Sequence, residues 1–249
     1  MANDQNDATV TEVAVIGAAS AVIVTSDCVG AIDGTHIRAS VPLDLQGRLR
    51  GRKGWTSQNV LAAITFDLKF VYVLAGWEGS AHDSRILNDA ISRPRGLQVP
   101  EGKYYLADFG YGIRSGFIPP YRGVRYHLKE YSNHEPENEK DLFNHRHSSL
   151  RSIVERGFGV LKKRFRMLGG EPYLKYELQV DVVLACCILH NHIVGVDPND
   201  RIMRRVNRRF QPRQRNPQRT QRQKREENRE WTRKRKAIAD AMWYQYTNG

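Results

Sequence analysis

Cysteine is scarce in this sequence. Only Cys28, Cys186 and Cys187 occur among 249 residues, two of them adjacent and the third distant. This spacing offers no disulfide framework and is typical of a reducing compartment. The apolar stretch Val13–Val24 is shorter than the roughly 20 residues that cross a bilayer, and acidic residues flank it, unlike a secretory signal. We therefore expect a soluble intracellular protein with no membrane partner.

Motifs for nucleotide and acyl chemistry are also missing. The chain contains no Walker loop and no nucleophile elbow. Asp108-Phe109-Gly110 has the letters of a kinase motif, but no glycine-rich phosphate loop, strand lysine or His-Arg-Asp catalytic loop accompanies it. These absences argue against P-loop nucleotidases, protein kinases and serine hydrolases.

Acidic residues are nearly absent from the C-terminal part. Residues 201–236 hold 16 Lys/Arg and 3 Asp/Glu, a balance of +13, whereas residues 1–200 hold 23 of each. Such a tail favours a polyanionic partner such as DNA or RNA, or a nuclear address, and the alternative is a solvated tail without a dedicated ligand. The run Arg233–Lys236 has the form of a nuclear localisation signal. We expect the nucleus, with the cytoplasm as a second location.

Strand and helix patterns alternate along the rest of the chain. Asp67-Leu68-Lys69 separates two β-branched and aromatic runs, which predicts a hairpin. The Gly/Arg-rich stretch Leu43–Trp55 predicts a mobile loop. The segment 28–37 predicts a short buried strand that ends in a turn, with Asp33-Gly34 as the breaker. The other predicted strands cover 59–66, 70–75 and 103–107, and the predicted helices cover 84–91, 148–165, 179–194 and 231–246.

Three acidic residues have positions suited to metal binding. Asp33 and Asp108 lie at the carboxyl ends of predicted strands, where active groups of open α/β sheets collect, and Glu155 lies on the flank of a predicted helix. Converging carboxylates repel one another unless cations neutralise them, and Mg²⁺ or Mn²⁺ prefers oxygen ligands. Two such ions about 4 Å apart support phosphodiester cleavage. The alternative is that each Asp caps a turn, since 27 acidic residues offer many triplets.

Five segments resemble the catalytic domain of PIF/Harbinger transposases and of the nucleases descended from them. The resemblance runs in order over roughly residues 28–195. It implies a ribonuclease H-like fold, a mixed sheet flanked by helices, ahead of the basic and largely disordered tail. It also implies a catalytic triad that binds Mg²⁺ or Mn²⁺: Asp33, Asp108 and Glu155. The segments are AIDGTHI (31–37), YYLADFGY (104–111), PYRGVRYHL (120–128), LFNHRHSSLRSIVERGFGVLKKRF (142–165) and ACCILHNHIV (185–194).

Two features depart from that family. Phe109 stands where a small residue is usual, so its bulk would crowd the metal site or shift a side chain. Only 27 residues precede Cys28, too few for a helix-turn-helix, so we expect either a truncated copy or a separate DNA-binding partner. The expected domains are an unassigned segment (1–27), the nuclease domain (28–195), a basic low-complexity tail (196–230) and a C-terminal helix (231–246).

Asp83 and His36 are candidates for supporting roles at the site. Asp83 belongs to the resemblance and rivals Asp108 as the second carboxylate, although it would also serve as the N-cap of the helix that follows. His36 would orient a phosphate or the metal shell, or would be a strand-end histidine bonded to backbone.

Basic residues and glycines follow Glu155 on the same predicted helix. Lys162, Lys163 and Arg164 would contact DNA phosphates close to the cut, or form a solvated helix face. Gly157 and Gly159 are poor helix formers, so we expect a sheet or nucleic acid to pack very close to them.

A Cys/His group near the end of the resemblance has a further interpretation. Cys186 and His190 are four residues apart, as zinc ligands on a helix would be, with Cys187 and His192 beside them. No second ligand pair stands at a finger-like distance, so a packed helix is the favoured interpretation.

The expected function is a divalent-metal-dependent DNA endonuclease of transposase origin that uses Asp33, Asp108 and Glu155. DNA is the expected substrate. The alternative is a catalytically inactive remnant that acts as a DNA- or protein-binding module.

Overall fold

A five-stranded mixed sheet forms the centre of the fold. The computed structural model describes residues 27–51, 54–126, 135–209 and 229–248. The spatial strand order is β3-β2-β1-β4-β5, in which β1, β2 and β3 are antiparallel while β1, β4 and β5 are parallel. This confirms the predicted α/β architecture with a mixed sheet. The strands are β1 (Cys28–Arg38), β2 (Ser57–Ile64), β3 (Phe70–Glu78), β4 (Tyr104–Leu106) and β5 (Phe117–Ile118).

Helices cover both faces of the sheet. On one face Ile86, Leu87 and Ala90 of α2 pack into a cluster with Ile32 and Leu61. The other face carries the larger cluster, which joins β1 and β2 to the remaining long helices. In the described residues the helices are α1 (Leu43–Leu49), α2 (Asp83–Ser92), α3 (Glu139–Arg164), α4 (Tyr176–Val196), α5 (Arg201–Arg209) and α6 (Arg229–Asn248).

Two stretches differ from their sequence-based prediction. The stretch predicted as a mobile loop contains α1, whose Leu49 is buried and whose Arg48 pairs with Glu78 of β3. These tertiary contacts stabilise a seven-residue helix that is too short to be stable alone. Helix α3 begins at Glu139 rather than near Ser148, because the Asn138 side chain accepts hydrogen bonds from two backbone amides of the first turn.

Gly157 lets α3 lie directly on the sheet. A Cβ atom at this position would lie 2.7 Å from Ile64 Cδ1, and Ile64 is fully buried in β2. At Gly159 a Cβ would meet only Val206 Cγ1, at 3.9 Å. The expected close packing is therefore confirmed at Gly157, where the sheet is the neighbour.

We expect alanine to have opposite effects at these two glycines. Gly159→Ala should raise the free energy of unfolding by up to about 1 kcal/mol, the difference in helix propensity. Gly157→Ala has the same backbone gain but displaces buried Ile64, and overpacking costs about 1–3 kcal/mol, so we expect net destabilisation. Urea unfolding of both variants measures this, and equal effects would contradict the packing argument.

Helix α4 is long and apolar enough to cross a membrane by length and composition alone. In the structure it packs on the sheet: Asn191 pairs with the backbone N and O of Phe70, both at 2.8 Å, and His190 Nε2 lies 2.9 Å from Leu68 O. His190 is buried with its ring edge against Phe70. These contacts support the packed-helix interpretation of the Cys/His group over a zinc site.

Part of the predicted basic tail is folded. Residues 201–209 form α5, whose Met203 and Val206 are buried in the larger cluster beside α3. The expectation that residues 201–230 of the tail lack a packed core is therefore wrong for this helix, because two apolar side chains three residues apart share one helical face. The expected disorder of residues 210–228 lies outside the described residues.

Helix α6 packs against α3 and the start of β4. Ile238, Ala239 and Met242 are buried, and the Trp231 ring meets Tyr104 edge-on at 6.4 Å. The C-terminal segment is therefore part of the domain core.

The predicted localisation signal Arg233–Lys236 lies within α6. Lys234 pairs with Asp27, while Arg235 stacks over the Tyr121 ring at 3.9 Å and donates to the carbonyl oxygens of Pro119 and Pro120. A receptor that reads adjacent basic side chains needs them accessible, and two of these four contact the domain. The structure therefore does not support this run as a signal, and nuclear localisation stays a prediction.

Candidate active site

Asp33 lies in the middle of β1, the central strand of the sheet. It pairs with Ala62 of β2, so the strand continues past the Asp-Gly step that was expected to end it. The Asp33 side chain is buried and points toward α3. Its Oδ1 accepts a hydrogen bond from Gly34 N at 2.8 Å. A buried carboxylate in a rigid central strand has a fixed position, as a metal ligand requires.

Glu155 reaches the same place from α3. The link is Arg151, one helical turn earlier, whose guanidinium lies between the two carboxylates. Arg151 Nη1 donates to Asp33 Oδ2 at 3.0 Å and Nη2 donates to Glu155 Oε1 at 3.1 Å. The Glu155 side chain keeps 20% of its surface exposed, against 2% for Asp33. Glu155 therefore faces the open side of the site.

Asp108 approaches from the adjacent parallel strand. It follows β4 directly and precedes a short 3-10 turn (Phe109–Tyr111). Because β4 pairs in parallel with β1, the carboxyl end of β4 lies next to the strand that carries Asp33. This is the strand-end position expected for Asp108 from the sequence.

The electrostatics of Arg151 involve all three carboxylates. Burial alone would lower the pKa of the Arg151 guanidinium, but Tyr126, Asp33, Asp108 and Glu155 together raise it well above its ordinary value. Asp33 and Glu155 are hydrogen-bonded to this guanidinium, whereas Asp108 contributes through its charge. The structure therefore brings Asp33 and Glu155 together at Arg151 and places Asp108 close enough to raise the pKa of Arg151.

Tyr126 and His147 support this cluster, and sequence reasoning did not single them out. Tyr126 Oη accepts from Arg151 Nε at 2.7 Å, and burial raises the pKa of this hydroxyl to about 12. Burial lowers the pKa of His147 to about 3. The neutral ring places Nε2 3.0 Å from Ile118 O and Nδ1 3.5 Å from Tyr126 Oη. Only the position of Tyr126 within the resembling segment 120–128 pointed to it.

Phe109 packs on Tyr126 rather than on the carboxylates. The two rings meet edge-on at 5.1 Å between centroids. Phe109 thus supports the ring that anchors Arg151. Crowding of the metal site by Phe109 stays a prediction.

Asp83 lies on the other side of β1 from Asp33. A Cβ at Gly34 would lie 3.5 Å from Asp83 Oδ1, and a Cβ at Gly110 would lie 3.0 Å from Oδ2. Asp83 is the first residue of α2, and the N-cap position belongs to His82. Its carboxylate therefore lies beside the Asp108 turn, on the opposite face of β1 from Asp33.

His36 also faces away from the three carboxylates. Successive residues of a strand point to opposite faces, and His36 is three residues after Asp33. Its Nδ1 lies 3.1 Å from Ser57 Oγ. The proposed role for His36 near the metal shell does not fit this position, and a bond to the neighbouring strand explains it better.

Comparison with known families decides the affiliation of the chain. The sequence profile described as "DDE superfamily endonuclease" matches residues 32–191, well over half of the chain and including all three carboxylates. The chain belongs to this family. The predicted resemblance to Harbinger-derived nucleases is thereby confirmed.

This DDE endonuclease domain is also similar to curated proteins from a plant and a mammal. It is 28% identical over 189 residues to "Protein ALP1-like" of Arabidopsis thaliana, which covers 69% of this chain and 44% of that protein. It is 28% identical over 167 residues to "Putative nuclease HARBI1" of Homo sapiens, covering 65% and 44%. The chain thus spans less than half the length of these relatives. No solved structure matches it.

The three basic residues predicted to contact DNA differ in their exposure and in their partners. Lys163 is exposed. Lys162 Nζ donates to Thr35 Oγ1 at 2.7 Å and to His36 O at 2.8 Å. The Arg164 side chain is buried and paired with Asp200, so it does not fit the predicted contact with DNA. Among these three, Lys163 remains the best candidate for a phosphate contact.

The donor chemistry of the site fits Mg²⁺ or Mn²⁺, because all three acidic groups offer the oxygen ligands these ions prefer. In the structure, the three acidic side chains are not arranged as the ligands of a shared ion would be. Within the described residues no group of three His, Cys, Asp or Glu side chains is close enough to hold a metal. Arg151 lies where Asp33 and Glu155 would otherwise share a ligand.

Proposed function

We propose that this chain is the catalytic domain of a DNA endonuclease that depends on divalent metal ions and hydrolyses phosphodiester bonds. The observation that carries the proposal is that Asp33 and Glu155 meet at one cation, Arg151, with Asp108 at the end of the adjacent parallel strand. The family supports the nuclease class and DNA as its substrate. The strand order, with three antiparallel and two parallel strands, fits the ribonuclease H-like fold that the resemblance implies.

The three carboxylates have different tasks in this proposal. Asp33 is fixed by its strand and by Gly34 N, so it would hold a shared ion in a constant position. Asp108, at the start of a turn, and Glu155, on the open side, would complete the shell from two directions. Bound Mg²⁺ or Mn²⁺ would supply an activated water and charge stabilisation of the leaving oxygen.

Substrate contact would come from the open side of the site. Exposed Lys163 lies two helical turns beyond Glu155 on α3 and can meet a phosphate. A separate DNA-binding partner and nuclear localisation stay predictions of the sequence.

A second candidate is a catalytically inactive remnant. The specific observation in its favour is that Arg151 bonds both Asp33 and Glu155. If this arrangement were permanent, the two residues could not bind a metal ion together. The chain would then keep the fold and bind DNA or protein without cutting.

Plasmid nicking decides between the two candidates. We expect purified protein to convert supercoiled plasmid to the open circle with Mg²⁺ or Mn²⁺ and poorly with Ca²⁺, because the larger ion takes six to eight ligands loosely. Asp33→Ala should lose this activity. A wild-type protein that cuts no DNA with either metal, alone or with nuclear extract, would support the remnant instead.

A further inference from the structure

Arg151 is in direct contact with two of the three triad carboxylates, those of Asp33 and Glu155. We propose that it is a positioning residue that takes the place of a metal ion between Asp33 and Glu155, and that it must leave this place before the pair can bind a divalent ion. The inference rests on the proposed function, because only a metal-dependent nuclease would need Asp33 and Glu155 to bind a metal ion in place of Arg151.

Each of the three guanidinium nitrogens of Arg151 donates a hydrogen bond. Nη1 bonds Asp33, Nη2 bonds Glu155 and Nε bonds Tyr126 Oη, at 2.7–3.1 Å. Only 8% of the side chain is exposed. A planar guanidinium with donors in a fixed fork can bridge two carboxylates in this way, whereas a lysine ammonium is a single point charge.

Charge explains why a cation is needed at this point. Asp33 and Glu155 approach each other in a largely buried site, with Asp108 nearby. Without a cation between them they would repel, and their desolvation would be uncompensated. Arg151 provides one positive charge for three acidic groups, so the site still attracts ions of higher charge.

The position of Arg151 on α3 allows it to move away. It stands one turn before Glu155, at the i, i+4 spacing of neighbours on a helix surface. Its side chain can change rotamer while the helix and both acidic residues stay in place. Tyr126, held by Phe109 and His147, then sets how firmly Arg151 is kept between the carboxylates.

Two measurements test this exchange. Isothermal titration gives the affinity for Mn²⁺, and the melting temperature in EDTA gives the stability of the metal-free protein. We expect Arg151→Met to lower the metal-free melting temperature by roughly 6–20 °C, since buried acidic groups lose their partner. We expect the same variant to bind Mn²⁺ about 10-fold more tightly, because no guanidinium has to leave. An ordinary supporting role predicts the reverse, a loss of about 10–100-fold.

A control variant and two replacement variants complete the test. Arg146→Met removes another buried guanidinium from α3 and should leave Mn²⁺ affinity unchanged. If Arg151→Met does not fold, Arg151→Lys and Tyr126→Phe replace it; each weakens the hold on the carboxylates and should raise Mn²⁺ affinity by a smaller factor.

The outcomes separate the inference from the proposed function. If the wild type binds Mn²⁺ and the Arg151 variants bind it equally or more weakly, the inference is overturned and the nuclease proposal stands. Binding by the variant but not by wild type would support the inference and favour the inactive remnant. No Mn²⁺ binding by either protein would overturn both.

Discussion

Glu155→Gln is expected to abolish DNA cleavage while leaving DNA binding nearly unchanged. The substitution keeps the shape of the side chain but removes one of three charges that would hold the metal. Even outer partners of metal ligands cost about 10–100-fold when lost, so a ligand on the open side of the site should cost more. Initial rates of plasmid nicking in Mn²⁺ give the activity, and fluorescence anisotropy with a labelled duplex gives the affinity.

Asp83→Asn is the matched control for this variant. Asp83 is also an acidic residue of the resembling region, but it lies beside the Asp108 turn on the other side of β1. We expect a partial loss of about 10–100-fold, the range for a supporting residue. If Asp83→Asn were inactive and Glu155→Gln retained wild-type rates, the assignment of the triad would be wrong.

Met242→Ala should cause a large loss of stability in α6, the C-terminal helix that follows the basic tail. Met242 is fully buried in α6, and removing a buried Met side chain costs about 2–5 kcal/mol of the free energy of unfolding. Urea denaturation followed by circular dichroism measures this change.

Tyr244 provides the comparison on the same helix. It is 70% exposed, so Tyr244→Ala should change the free energy of unfolding by less than about 0.5 kcal/mol. Equal and small effects at both positions would mean that α6 does not pack on the domain in solution. The result also bears on tail deletions, because removal of α6 would expose the surface that Trp231 and Ile238 cover, including Tyr104.

Local sequence patterns predicted most of the elements. The β-branched runs on each side of Asp67-Leu68-Lys69 form the hairpin β2–β3, and the turn closes with Leu68 at a φ of +65°. The periodic apolar positions of α3 and α4 predicted both helices. These predictions succeed because hydrophobic period and turn chemistry are properties of a few neighbouring residues.

The ends of elements were less predictable. Helix α1 depends on contacts of Leu49 and Arg48 with distant residues, and α3 begins nine residues before its predicted start at Ser148. The pattern from Arg201 onward looked like solvated tail because basic residues outnumber Met203 and Val206. Only packing against α3 shows that those two side chains suffice to fold α5 onto the domain.

The sequence by itself determined the family, the α/β class and the three acidic residues, since the segments around Asp33, Asp108 and Glu155 are specific enough to recognise without a structure. Only the tertiary structure decided which side chains share a site. It placed Asp83 and His36 across β1 from Asp33, turned Arg164 inward to Asp200, and set Arg151 between Asp33 and Glu155. The physical reason is that the face of a strand and the direction of a long side chain depend on pairing and packing partners that are distant in the sequence, as Arg151 is from Asp33, and local patterns do not contain them.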